Sequence, residues 1–82
     1  MKRLSMTDAE TIALAHVRKE KPEATNITVD SRKLEKNMWH IGGHYPMSGQ
    51  EVVGTMEFQV MMDAQNGEIA SSDSRGFLAG AG

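Results

Sequence analysis

The chain reads as an α+β domain: one N-terminal helix packed on a three- to four-stranded antiparallel sheet, in the order α-β-β-β-β. Three observations predict it. A capped amphipathic stretch begins near Thr7, the hydrophobic period changes from 3.6 to 2 just after Pro22, and turn signals at 35–37 and 63–67 divide the remainder of the chain.

The helix comes first. Thr7-Asp8-Ala9-Glu10 has the form of a capping box, in which the Thr7 hydroxyl accepts from the Glu10 amide and the Glu10 carboxylate accepts from the Thr7 amide. Asp8 adds negative charge to the first turn, where the exposed amides favour it. At 100° per residue Ala9, Ile12, Ala13, His16 and Val17 fall in one stripe, with Leu14 off it and Thr11, Arg18 and Lys19 towards solvent. Lys21-Pro22 ends the helix, because proline disfavours the α conformation in the residue before it.

The strands come next. Ile27 and Val29 alternate with Thr28 and Asp30 in a half-buried strand that runs on to Leu34, and its polar 31–33 stretch suits an edge. After a hairpin turn at 35–37, Trp39, Ile41 and Tyr45 line one face of a second strand and His40 and His44 the other. Gly42-Gly43 marks a bend that lets the sheet curl round the helix; close approach by a ligand or a partner backbone is the sharper alternative. Residues 46–49 break that strand. From about Val52 to Asp63, Met56, Phe58, Val60 and Met62 alternate with Thr55, Glu57, Gln59 and Met61, and the Asn66-Gly67 pair serves the next turn. A short strand at 68–71 completes a meander whose single apolar face the helix covers. The domain is expected over residues 1–72, with 73–82 a disordered tail.

Composition narrows the chemistry. With 82 residues there is room for one domain, and 39% hydrophobic against 24% charged residues argues for a folded chain. Four aromatics and seven methionines mean that methionine must fill much of the core. The net charge of −2, with basic and acidic residues interleaved, argues against a nucleic-acid partner, and the basic 16–21 stretch falls where helix carbonyls attract cations. The absence of cysteine removes disulfides, thiolate chemistry and all-cysteine zinc sites. No apolar run nears the ~20 residues of a membrane span, so no membrane insertion is expected. As it stands the chain reads as cytoplasmic, and as a cell-envelope or secreted protein if a leader was removed.

Order and motifs together resemble a PepSY-type domain, a helix-plus-sheet module shaped like half of the cystatin-like fold. The resemblance rests on the alanine-containing helix at 7–19, the tryptophan strand at 38–41 and the 58–69 segment, in which Asp63, Gly67 and Ile69 stand at the family's aspartate, turn glycine and following apolar residue. It covers residues 6–72 and departs from the family in showing no leader. It implies a binding or regulatory module, often linked with restraint of peptidases, and supplies no catalytic residue.

No reactive constellation stands against that reading, and neither an enzyme nor a cofactor is expected. His40 and His44 have zinc spacing on a helix, but four residues along a strand span about 13 Å, too far to share one ion without a sharp bend. The 63–67 turn lacks the glutamate of a calcium loop, since Ser74 stands at that place. Asn26-Ile27-Thr28 matches a glycosylation acceptor by chance in a chain with no sign of secretion. His16 is expected at the rim of the core. The leading expectation is a protein- or peptide-binding module using the sheet face opposite the helix or the edge strand, with Asp30, Arg32, Leu34, His40 and His44 as the partner surface. Two alternatives are a homo-oligomer burying Leu34, Met38 and Met61, and a small-molecule or enzymatic site in a concavity reaching His16.

Overall fold

The computed structural model describes residues 3–47 and 54–78. Helix α1 (Met6–Glu20) precedes strands β1 (Thr28–Glu35), β2 (Met38–Pro46), β3 (Gly54–Asp63) and β4 (Ile69–Leu78). The strands form one antiparallel sheet in the order β1-β2-β3-β4, so the α+β meander holds with four strands.

Alternation of side chains decides what the helix covers. Trp39, Ile41 and Tyr45 of β2 and Phe58, Val60 and Met62 of β3 point to one face, where Ala9, Ala13 and Val17 of α1 close over them. These residues and Ala64 are the core, and Ile41, Val60 and Met62 are its largest fully buried side chains. Alanines on the helix side let the helix lie close to the large strand residues, so few aromatics suffice. A half-buried group that includes Leu4, Ile12 and Val29 rings the core.

The helix begins earlier than its capping pattern suggests. Ser5, not Thr7, is the N-cap, and its hydroxyl accepts from the Asp8 amide at 3.1 Å. The start is set by tertiary contacts: the Leu4 amide donates to the Ala64 carbonyl at 2.6 Å and the Trp39 indole donates to the Leu4 carbonyl at 3.0 Å. Residues 4 and 5 are thereby tied to the sheet, and the first helical turn starts from there. Glu10 is released from capping and pairs instead with Arg32 of β1.

Both tight turns obey local chemistry. Lys36 and Asn37 have φ of 50° and 62°, the left-handed pair of a two-residue hairpin turn. At the β3–β4 turn the Asp63 carboxylate accepts from the Gln65 amide at 2.7 Å, Asn66 accepts from the Glu68 amide at 2.8 Å, and Gly67 takes φ 73° against Ile12 and Leu4. Asp63 therefore caps its own turn.

Gly42 and Gly43 are buried opposite a β-bulge, where the register of β1 slips between Val29 and Ser31. A side chain at Gly43 would meet the Thr28 carbonyl and come within 2.7 Å of the Phe58 ring. The close approach at these glycines is made by the chain's own β1 and β3.

The fourth strand is the main departure. It runs ten residues, from Ile69 to Leu78, where the sequence predicts a strand at 68–71 and a disordered tail from 73. Residues 72–78 pair with β3 from Val60 back to Gly54. The beginning of the third strand at Val52, the break at residues 48–49 and the tail beyond 78 lie outside the described residues.

Candidate functional site

The helix contacts β2 and β3 and leaves β4 largely bare. On its helix-facing side β4 presents Ser72, Ser74 and Gly76, which pair with Val60, Phe58 and Met56. Small side chains beside a helix that packs chiefly on β2 and β3 leave a cleft of about 270 Å³ between the C-terminal half of α1 and β4. Its floor is formed by Tyr45, Phe58 and Val60, and its rim by His16, Glu20, Lys21, Ser72, Asp73 and Ser74.

One polar contact bridges the cleft. His16 Nε2 lies 3.0 Å from the Ser72 hydroxyl and 3.5 Å from Glu20 Oε1, one helical turn on. A histidine inside an apolar stripe thus spans the helix–sheet gap at the rim of the core. Serine beside histidine invites a nucleophile–base reading, but the arrangement works against it. Nε2 is shared between the Ser72 hydroxyl and the Glu20 carboxylate, and among the described residues no hydrogen bond orients Nδ1 as a third group would in a nucleophile–base arrangement. Beside the cleft, burial pushes the Tyr45 hydroxyl up from 10.0, and the charge of Glu23 adds to the shift. Tyr45 is therefore a neutral donor and acceptor at ordinary pH.

The residues expected to form a partner surface divide between two faces. His40 and His44 lie on the sheet face away from the helix, as their alternation requires. Asp30 sits in the bulge with its carboxylate 2.8 Å from His44 Nδ1. Arg32 and Leu34 pair with Ile41 and Trp39 and so share the helix-facing side. Arg32 is held by Glu10, while Leu34 is 37% exposed. The structure joins Asp30 to His44, and it separates both from Arg32 and Leu34. Leu34 is likewise parted from Met38 and Met61, which lie on the far face, so these three do not form one apolar patch.

Among the described residues no group of three His, Asp or Glu side chains is placed to hold a metal ion. No helix among them is long and apolar enough to cross a membrane. The cleft is bordered by a strand whose serine-rich sequence carries no strand signal, and His16 in the helical stripe is its only trace in the sequence. The fold and cleft together define a helix-on-meander domain in which, among the described residues, one side of the sheet is uncovered. Neither a family model, a curated protein nor a solved structure matches the chain.

Proposed function

We propose that the protein is a non-enzymatic binding module of PepSY-like form that takes a segment of a peptide or protein in the cleft between α1 and β4. The observation that carries this reading is the size and lining of the cleft. A volume of about 270 Å³ falls below the roughly 300–1,000 Å³ of pockets that enclose small ligands. It holds one or two side chains of a longer partner. The buried floor of Tyr45, Phe58 and Val60 suits an apolar anchor, and the Glu20 carboxylate at the rim favours a basic residue beside it. A regulatory role, including restraint of a peptidase, is compatible with such capture.

The test is selection of displayed random peptides on the full chain, followed by amide-shift mapping with a synthetic peptide from the selection. Enriched peptides should carry an apolar residue flanked by Lys or Arg, and the shifts should gather at Val17, Ser72 and Ser74. Ser72→Tyr, which fills the cleft, should weaken binding roughly tenfold or more. Shifts centred on His40 and Met61 would move the site to the other face and end this reading.

A further inference from the structure

We propose that the chain forms a two-fold dimer by pairing β4 with β4 of a second copy, antiparallel and centred on Ser74. The first ground is the difference between the sheet's two edges. Strand β1 is blunted by its bulge at Asp30 and by the charges of Arg32, Lys33 and Glu35. Strand β4 pairs regularly with β3 from Ser71 to Leu78, contains no proline, and has β3 as its one neighbour in the sheet among the described residues. A long regular edge of this kind is a template for another strand.

The second ground is self-complementarity. An antiparallel pair centred on Ser74 sets Asp73 against Arg75 of the other copy, twice, with Ser72 against Gly76 and Ser71 against Phe77. Opposite charges directly across a ladder stabilise it, and a slip of one or two residues brings like charges closer or leaves them unmatched. Within one chain these charges are uncommitted: among the described residues neither Asp73 nor Arg75 makes an ion pair. Phe77, 47% exposed on a single chain, gains cover from the second strand.

The assembly would also complete the cleft. Residues directly opposite in an antiparallel pair point to the same face, so both helices stand on one side of a continuous eight-stranded sheet. With strands about 4.8 Å apart, the two helix axes lie on the order of 20 Å apart. Helices ~10 Å wide then leave a trough roughly 10 Å across, floored by Ser72, Ser74 and Gly76 of both copies. That is room for one extended peptide. In this respect the dimer deepens the cleft reading, while the pairing itself rests on the edge alone.

The chain contains no cysteine, so a single introduced thiol reports its own surroundings. Ser74→Cys should cross-link to a disulfide dimer under mild oxidation, and Lys33→Cys on the blunted edge should remain a thiol. In sedimentation equilibrium of the full chain, Asp73→Arg should weaken association about tenfold or more, and the charge-exchanged Asp73→Arg/Arg75→Asp should restore it to within about threefold. Circular dichroism checks that each variant is folded. A monomer at every concentration, cross-linking through position 33 in place of 74, or a dimer indifferent to Asp73→Arg would overturn the proposal. A monomer that still binds peptide at the cleft would sink the dimer and leave the binding reading standing. A β4 dimer that selects no peptide would do the reverse.

Discussion

The two edges of the sheet are built to opposite ends. Strand β1 is tied to the helix through Arg32 and Glu10, bulged at Asp30 and edged with charge. Strand β4 is linked to the helix by the hydrogen bond of His16 with Ser72 and carries small side chains towards it. A helix centred on β2 and β3 closes one flank and leaves the other open, so the cleft and the free edge arise from one cause. The serines of β4 add nothing to the core, and what they do is leave space.

The largest effects belong to the closed centre. Ile41→Ala, at a fully buried position, should cost about 3 kcal/mol in urea unfolding followed by the fluorescence of Trp39, the chain's one tryptophan. Ser74→Ala on β4 should stay within ~0.5 kcal/mol. A smaller contrast comes from one substitution made twice. Gly43→Ala forces a methyl against the Thr28 backbone and the Phe58 ring, neither of which yields, and should cost about 2 kcal/mol. Gly76→Ala meets only the flexible ends of Met47 and Met56 and should change stability by less than ~1 kcal/mol. Equal losses at the two glycines would break the contrast between a packed and an open flank.

Next in size is the helix start. Ser5→Ala should lose about 1 kcal/mol, while Thr7→Ala, one residue inside the helix, should lose no more than a few tenths. The tie at the closed edge is smaller still: a double-mutant cycle of Arg32→Ala and Glu10→Ala should give a coupling of ~0.5 kcal/mol, since both side chains keep contact with water.

The last prediction concerns pH. Burial, aided by Glu23, raises the Tyr45 hydroxyl above 10.0, so the folded state holds its proton more tightly than the unfolded chain. Stability from this group is fully present below 10.0 and is lost as the pH rises through the raised value. Tyr45 is the chain's one tyrosine, so tyrosinate absorbance should show a midpoint above 10.0 in the folded protein and near 10.0 in urea.

The closed flank is also the legible one. The stripe of Ala9, Ala13 and Val17, the alternation of Trp39, Ile41 and Tyr45, and that of Phe58, Val60 and Met62 all write burial directly into spacing, and each stands where its period places it. The open flank carries no such code. Residues 71–76, Ser-Ser-Asp-Ser-Arg-Gly, have neither apolar alternation nor β-branched side chains; they are a strand because β3 offers a ladder to pair with. With that strand read as a tail, the cleft it borders is invisible, and β1 becomes the apparent partner edge. The helix cap is misread for a related reason. Ser5 and Thr7 both satisfy local capping chemistry, and the choice is made by Leu4, held to Ala64 and Trp39 far along the chain.

The most direct test of an open edge at β4 is amide hydrogen exchange at low and high protein concentration. Raising the concentration should slow exchange at alternate amides between Ser71 and Phe77, those directed away from β3, and leave the amides of Arg32 and Lys33 on β1 unchanged. Protection that grows on β1, or on neither strand, would contradict the account.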